Sequence, residues 1–182
     1  AEVLCQATPT HGVLLLDGYV GAQFVAPCKQ IQEAAAGKTV KLIDVSKAYK
    51  NPAEMVAMLA ESLPEDKVID PLLLFGKYIH REIESLFDSE KLVVLVQEIQ
   101  AAKRNADLVV VFGCGSAFSG LRKLGDVAAF LDVNPMEATL RIRARKTRNL
   151  GDGENVRPLP RILRRMYYYD YEIMMLHRQN LI

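Results

Sequence analysis

Short apolar runs alternate with amphipathic segments along this chain of 182 residues. Four of the runs have the length of a buried strand: Val13–Leu16, Val40–Val45, Leu108–Phe112 and Val127–Leu131. The third run has no polar residue, which is typical of a strand covered on both faces of a parallel sheet. Strands that alternate with helices predict an α/β fold with three layers, in which a mostly parallel sheet has helices on both faces. We expect a single α/β domain over residues 1–182.

Apolar residues at helical spacing predict helices between these strands. The predicted helices cover 21–36, a segment from Asn51-Pro52, 79–87, 89–104 and a segment from Asn134-Pro135 to about Lys146. Each Asn-Pro pair supplies an N-cap followed by proline at the first helical position. The run 67–76 is apolar but is interrupted by Pro71, so it predicts either a strand or a buried loop. Residues 149–160 are rich in Gly, Pro and Asn and predict a loop.

The composition excludes several classes of protein. The formal net charge is +1, so no overall charge favours nucleic acid as a partner. No apolar run reaches the roughly 18 residues of a membrane-spanning helix, and we expect no membrane partner. The three cysteines are widely spaced and odd in number, which favours a reducing compartment and predicts a cytoplasmic protein. The three histidines are far apart, so we predict no metal site.

Basic residues concentrate near the C-terminus. Residues 141–182 contain 10 Lys and Arg against 4 Asp and Glu, whereas residues 1–140 contain 13 against 18. Because arginine offers paired N–H donors to phosphate, we expect a basic lid-like or tail segment at about 141–182. Arg141, Arg143 and Arg145 are its predicted phosphate ligands, and on a helix the first and last share a face. The alternative is a solvated basic face.

Small and acidic residues follow the predicted strands, where open α/β sheets bind ligands. These ends are Asp17-Gly18-Tyr19-Val20-Gly21, Asp44, Gly113-Cys114-Gly115-Ser116 and Asp132. Glycines let backbone N–H groups approach an anion closely. We therefore predict catalytic roles for Asp17 and Asp132, as base or hydroxyl ligand. The predicted phosphate or nucleotide contacts are Gly18, Tyr19, Gly21, Gly113, Gly115 and Ser116. A tight strand-to-helix turn is the alternative at Gly18–Gly21.

No standard nucleotide-binding or hydrolase motif is present. Gly37-Lys38-Thr39 matches the end of a P-loop, but the first glycine of that motif would fall at Gln32. The segment also ends a predicted helix, which is the wrong context for a P-loop. No G-x-S-x-G occurs, which argues against a serine hydrolase. Cys114 is more typical of a small buried residue than of a nucleophile.

Six short blocks together resemble one protein family. They are Leu16–Gly21, Phe87–Leu92, Val111–Ala117, Leu131–Val133 with Glu137 and Arg141-x-Arg143, Asn149–Gly151, and Arg165–Glu172. In content and order they resemble the N-terminal, nucleoside-kinase-like domain of certain bacterial two-part class I mannose-6-phosphate isomerases. That family tends to have Pro where Val20 stands and Trp or Phe where Tyr171 stands.

The resemblance implies a P-loop-kinase-like fold, here without a Walker A motif, and a link to mannose 6-phosphate metabolism. It implies a small phosphorylated ligand, a nucleotide with Mg²⁺ as cofactor, and a fused or associated isomerase domain as partner. No isomerase activity is expected from this chain alone, because it lacks a His/Glu/Gln metal set. We predict a degenerate small-molecule kinase that binds a nucleotide or sugar phosphate. A non-catalytic docking or regulatory module and an active phosphotransferase are the alternatives.

Overall fold

A sheet of four parallel strands lies at the centre of the protein. The computed structural model describes residues 1–66, 68–153 and 157–181. The strands in this part of the chain are β1 (Gly12–Gly18), β2 (Val40–Asp44), β3 (Leu108–Phe112) and β4 (Val127–Leu131). They lie in the order β2-β3-β1-β4, with Leu14 of β1 paired to Val110 on one side and Val127 on the other. The four predicted strands are confirmed, and every residue of β1 is buried.

Helices connect and cover the strands. In chain order they are α1 (Glu2–Ala7), α2 (Val25–Ala34), α3 (Pro52–Leu59), α4 (Ser89–Asn105), α5 (Ser119–Arg122), α6 (Pro135–Arg143), α7 (Leu159–Arg165) and α8 (Tyr171–Leu181). Asn51 and Asn134 cap α3 and α6 as predicted, each accepting a backbone N–H bond in the first turn. Lys67, residues 154–156 of the predicted loop and Ile182 lie outside the described residues.

Alternate strand residues point to two separate cores. Leu14 and Leu16 pack with Cys28 and Ile31 of α2 on one face of the sheet. On the opposite face Leu15 belongs to a larger core, to which α3, α4 and α8 contribute. The period of two in side-chain direction therefore gives each face of the sheet its own helical layer. The predicted three-layer α/β architecture is confirmed.

The predicted helix over 79–87 is wrong. Only Ile83–Leu86 is helical, as a single 3-10 turn. Phe87 has extended backbone and forms an antiparallel bridge with Tyr49. The carboxylate of Asp88 accepts N–H bonds from the next helix and caps α4. The bridge and the cap together end the first segment before a regular helix can form.

The predicted strand or buried loop over 67–76 differs from the observed segment. Its described residues form neither strand nor helix, and several of its large apolar side chains are exposed. Asp70 is buried instead, and its carboxylate accepts N–H bonds from Leu74 and Phe75 at 2.8 Å each. These N–H bonds hold the pKa of Asp70 below its usual value, against the opposing effect of burial. A buried polar anchor therefore organises this loop.

The basic C-terminal segment is helical and packs into the core. A π-helical turn, Met166–Asp170, joins α7 to α8. The residue pairs Arg165-Met166, Tyr169-Asp170 and Ile173-Met174 are all buried and recur every four residues. An α-helix would displace each successive pair by about 40° around the axis. The wider π turn compensates for this drift, so all three pairs face the protein interior.

Gly21 and Gly37 provide a matched test of the packing of α6 on the sheet. Both have positive φ, +86° and +84°, but a Cβ at Gly21 would lie 3.0 Å from Ala138 of α6, whereas a Cβ at Gly37 would meet nothing within 4 Å. We expect Gly37→Ala to lower the free energy of unfolding by about 1 kcal/mol through backbone strain alone. Gly21→Ala should cost about 2 kcal/mol more, because overpacking adds to the strain. Urea denaturation of both variants measures the difference, and equal losses would contradict the packing argument.

Candidate functional site

The carboxylate of Asp17, at the end of β1, is an internal hydrogen-bond acceptor. Its Oδ1 accepts N–H bonds from Gly18 at 2.7 Å and Gly115 at 2.8 Å. Its Oδ2 accepts from the N–H of Ala117 at 2.7 Å and lies 2.8 Å from Nε2 of His177 in α8. Asp17 is fully buried, and both oxygens are engaged by the protein. Its catalytic role stays a prediction, whereas its structural role is observed.

The loop after β1 is filled by its own side chains. Tyr19 and Val20 are buried, and the ring of Tyr19 stacks on Tyr171 with centroids 6.0 Å apart. Burial raises the pKa of Tyr19 to about 12, so its phenol stays protonated at neutral pH. A P-loop needs a lysine and a Ser or Thr here to hold phosphates and Mg²⁺. A nucleoside triphosphate with Mg²⁺ therefore does not fit this loop.

The glycines of the same loop permit close packing of the protein on itself. A Cβ at Gly18 would lie 2.9 Å from Cβ of Ala22, and one at Gly21 would lie 3.0 Å from Cα of Ala138. Arg141 of α6 also reaches this loop, where its Nη1 donates to the carbonyl of Gly21 at 2.9 Å. The observed arrangement is the tight-turn alternative for Gly18–Gly21, and phosphate binding at these glycines stays a prediction.

The loop after β3 contributes to two different places. The N–H of Gly115 is used by Asp17, and Ser116 is fully buried. The hydroxyl of Ser116 has no hydrogen-bond partner within the described chain. Gly113 has a φ of +123° and lines an open cleft. Of the three predicted phosphate contacts in this loop, Gly113 is the one that the structure brings to that cleft.

The predicted arginine ligands do not converge. α6 ends at Arg143 rather than near Lys146, and Arg145 has left-handed backbone with a φ of +58°. Arg141 and Arg145 therefore do not share a helix face. Arg145 donates instead to the carbonyl of Arg157 at 3.0 Å, and Arg143 is exposed on the last helical turn. A phosphate-binding role for these three residues stays a prediction.

Asp132 lies beyond the end of β4, on the protein surface. Its Oδ2 accepts a hydrogen bond from Nη2 of Arg178 at 2.6 Å, and about half of its side chain is exposed, 51%. Such surface ion pairs contribute little to stability. The structure thus places the two predicted catalytic carboxylates in different environments, one buried and one exposed.

An open cleft of about 570 Å³ lies at the carboxyl ends of β2 and β3. Asp44 ends β2 in this cleft, and Gly113 follows β3. The charged residues that line it are Asp44, Lys47, Lys50, Lys91, Arg148 and Asp152. Strand ends on neighbouring parallel strands meet at one edge of a sheet, where α/β proteins bind ligands. We call this opening the strand-end cleft.

Three of the cations in the strand-end cleft are held by neutral groups. Lys50 Nζ donates to the carbonyls of Ser85 and Phe87 at 2.6 and 2.8 Å. Lys91 Nζ donates to the carbonyl of Tyr49 at 3.0 Å. Arg148 Nη1 donates to the carbonyl of Gly153 at 3.2 Å. Carbonyls orient these cations without neutralising their charge, so the cleft is a suitable place for an anion.

The carboxylates near these cations already have partners. Asp152 lies 3.4 Å from Arg157 and 3.6 Å from Arg165, both outside the strand-end cleft. The N–H groups of Lys91 and Glu90 hold the pKa of Asp88 below its usual value, with a smaller contribution from the lysine charges. With four cations against the carboxylates of Asp44 and Asp152, the lining of the cleft has a positive balance of charge.

Cys114 lines the cleft but is not an activated thiol. It is buried, and burial raises the pKa of its thiol well above the usual value, with further raising by nearby carboxylates such as Asp17. The phenol of Tyr49 donates to the carbonyl of Cys114 at 2.6 Å. The reactive form of cysteine is the thiolate, so the environment favours the packing role that the sequence suggests.

A buried polar network supports the wall formed by residues 148–153. Asn149 Nδ2 donates to Oδ2 of Asp170 at 2.5 Å and to the carbonyl of Ile162 at 3.1 Å. Arg165 lies 3.6 Å from Asp152 and 3.8 Å from Asp170. Burial raises the pKa of Asp170 to about 6, an effect that the charge of Arg165 reduces.

Sequence reasoning missed Lys50, Lys91 and Arg148 as residues of a common site. Asp44 and Gly113 carry a signal, because each follows a predicted strand. Lys91 lies in the first turn of α4, whereas Lys50 and Arg148 lie in two separate loops, so no local pattern relates them. Across the described ranges no group of three or more His, Cys, Asp or Glu is arranged to hold a metal ion. No helix in those ranges is both long and apolar enough to cross a membrane.

Two solved structures that resemble this chain are described as kinases. The chain superimposes on a putative fructose transport system kinase from Silicibacter sp. TM1040 with a TM-score of 0.59 and 14% identity, over 98% of this chain and 93% of that chain. A shikimate kinase from Bacteroides thetaiotaomicron matches with a TM-score of 0.38 and 16% identity, over 93% of this chain and 77% of that chain. The α/β fold is therefore shared with the first of these two structures, and the predicted parallel sheet with helices on both faces is confirmed.

The chain belongs to the family described as "Domain of unknown function (DUF8485)", whose sequence profile matches residues 1–182. No curated protein sequence matches it.

The two strand-end carboxylates, Asp17 and Asp132, provide a matched pair of variants. We expect Asp17→Asn to lower the free energy of unfolding by about 3 kcal/mol, because the new amide places donors against the N–H groups that now bind the carboxylate. Asp132→Asn should change it by no more than about 0.5 kcal/mol, as its pair is exposed. Chemical denaturation at neutral pH measures both, and a near-neutral Asp17→Asn would refute the structural role.

The Asp170 carboxyl predicts a pH dependence of stability. Its pKa of about 6 in the folded protein exceeds its ordinary value of 3.8, so the folded state binds this proton more tightly. The resulting destabilisation is fully present above pH 6 and is relieved as the pH falls through 6. Relative to Asp170→Asn, the wild type should therefore gain about 2 kcal/mol between about pH 7.5 and 4.5. Denaturation curves across this range measure the difference, which stays constant if Asp170 titrates normally.

Proposed function

We propose that this protein binds a small phosphorylated ligand in the strand-end cleft. The observation that carries the proposal is the set of Lys50, Lys91 and Arg148, whose cations lie at the carboxyl ends of β2 and β3 and are oriented by backbone carbonyls. A volume of about 570 Å³ is within the usual range for a small-molecule site. Arginine supplies a bidentate donor for phosphate and the lysines supply point charges.

The proposal is for binding rather than phosphoryl transfer. In P-loop kinases, transfer from a nucleoside triphosphate uses a Walker lysine and a Mg²⁺ ion held at the loop that follows a strand. The loop after β1 contains buried Tyr19 and Val20 instead. A domain of this kind would act as a ligand-responsive module, and phosphate release or transfer would depend on another protein or domain.

Sugar phosphates are the first ligand class that we infer. The resemblance to domains of mannose-6-phosphate isomerases supports mannose 6-phosphate and its isomer fructose 6-phosphate. The description of one solved relative as a kinase of a fructose transport system supports the same class. On this proposal the partner is an isomerase domain, fused or separate, in the cytoplasm.

An active phosphotransferase is the second candidate. Asp44 favours it, because its carboxylate ends β2 inside the strand-end cleft and is half-buried. One of its oxygens accepts the N–H of Ser46 at 2.8 Å. Its other oxygen could accept the proton of a substrate hydroxyl, which is the role of a base in phosphoryl transfer.

A ligand screen on the wild type and two arginine variants tests the proposal. The compounds are mannose 6-phosphate, fructose 6-phosphate, UMP, CMP, ATP and GTP, each with and without Mg²⁺. A compound at about 100 times its Kd stabilises the protein by about 2.7 kcal/mol and raises Tm by several degrees. We expect a sugar phosphate to do so without Mg²⁺.

Arg148→Gln should weaken that ligand by about tenfold or more, because one charge-assisted hydrogen bond is lost. Arg104→Gln is the control, since Arg104 is exposed at the end of α4, away from the strand-end cleft. Calorimetric titration gives both Kd values. Equal weakening by the two variants, or no binding of any compound, contradicts the site. A shift that requires both a nucleoside triphosphate and Mg²⁺ favours the phosphotransferase.

A further inference from the structure

A second opening, of about 490 Å³, lies on another part of the protein. One wall is apolar and consists of Val56 and Leu59 of α3 with Leu63 beyond it. The other wall carries four guanidinium groups, from Arg157, Arg161, Arg164 and Arg165. We call it the arginine pocket.

Two of these arginines are buried and incompletely hydrogen-bonded. The side chains of Arg164 and Arg165 are only 3% and 4% exposed. Their Nε atoms, and Nη1 of Arg165, have no hydrogen-bond acceptor in the described part of the chain. Buried guanidinium N–H groups are expensive to leave without an acceptor. Both side chains line the arginine pocket, so an anion in it would lie beside two guanidinium groups that are shielded from water.

The carboxylates nearest Arg164 and Arg165 do not line the arginine pocket. Asp70 lies 3.8 Å from Arg164, and Asp152 and Asp170 lie 3.6 and 3.8 Å from Arg165. These distances exceed the range of a hydrogen bond, so the carboxylates balance charge without occupying the donors.

Nearer the surface, Arg161 donates to Glu65. Its own Nε is also buried without an acceptor among the described residues. Three of the four arginines that line the opening therefore have a buried Nε without an acceptor in the described ranges.

We propose that the arginine pocket binds an amphipathic anion, a small molecule with one oxyanion group and an apolar acyl or aryl body. The guanidinium groups match the planar pair of acceptors on a carboxylate or phosphate. The wall of Val56, Leu59 and Leu63 removes the apolar body from water. Tight binding requires both the guanidinium groups and the apolar wall. This requirement distinguishes the ligand class from the polar phosphate compounds assigned to the strand-end cleft.

The probe is phenyl phosphate. Its anionic half, inorganic phosphate, and its apolar half, phenol, are tested separately. Calorimetric titration of the full chain compares phenyl phosphate with inorganic phosphate and with phenol. We expect one molecule of phenyl phosphate to bind, with both halves at least about tenfold weaker. If either inorganic phosphate or phenol binds as tightly as phenyl phosphate, the assignment of an amphipathic ligand is wrong.

Variants locate the binding. Val56→Glu places a negative charge in the apolar wall, where it repels the anionic probe, and should abolish binding. Val93→Glu on α4, outside the pocket, is the control and should leave binding unchanged. Both valines are exposed on helices, 47% and 57%, so neither change disturbs a core. Arg161→Gln should weaken phenyl phosphate about tenfold, and Arg104→Gln should leave it unchanged. Circular dichroism verifies the fold of each variant, and wild-type affinity in Val56→Glu would refute the site.

The test also separates this pocket from the strand-end cleft. Arg148→Gln, which is expected to weaken sugar phosphates, should leave the affinity for phenyl phosphate unchanged. If Arg148→Gln reduces phenyl phosphate binding and Val56→Glu does not, the probe occupies the strand-end cleft. The assignment of this ligand to the arginine pocket is then wrong. The proposal does not depend on the sugar-phosphate function, so either can fail alone.

Discussion

The hydrogen bonds to the Asp17 carboxylate connect three parts of the protein that are distant in sequence. The acceptor lies at the end of the central strand β1, two of its N–H donors lie in the loop after β3, and His177 lies in the last helix. A buried carboxylate requires such donors, because no water is available to replace them. The position of the β3 loop, and with it of Gly113 in the strand-end cleft, depends on this one group.

The same arrangement explains why the open cleft lies at the ends of β2 and β3 rather than at the end of β1. Asp17 and the packing of α6 against Gly21 close the loop after β1, where Tyr19 and Val20 take the interior space. The ends of β2 and β3 remain open, and the basic residues of the cleft lie there. Residues that follow the central strand of an α/β sheet can thus serve packing while the ends of neighbouring strands stay open.

Local sequence patterns carry most of the fold and little of the site. Uninterrupted apolar runs such as Leu108–Phe112 identify the strands, and Asn-Pro pairs mark the starts of α3 and α6. The segment 79–87 has helical spacing, but the bridge between Tyr49 and Phe87 prevents the helix, and no local pattern encodes a bridge. His177 pairs with Asp17 across 160 residues, a separation at which spacing carries no information. The spacing of Arg141 and Arg145 predicts a shared helix face, which the structure does not form because α6 ends at Arg143.

Because of the π turn at Met166–Asp170, the number of residues in the C-terminal segment determines which side chains of α8 face the core. Each residue in a helix turns the chain by about 100°, so one residue fewer between Arg165 and Tyr171 would rotate α8 by that angle relative to the sheet. Ile173 and Met174 would leave the core, and His177 would no longer reach Asp17. Tyr167 is the clearest case, since its side chain is half exposed, 47%. Substitution of this side chain should therefore be tolerated, whereas deletion of the residue should not.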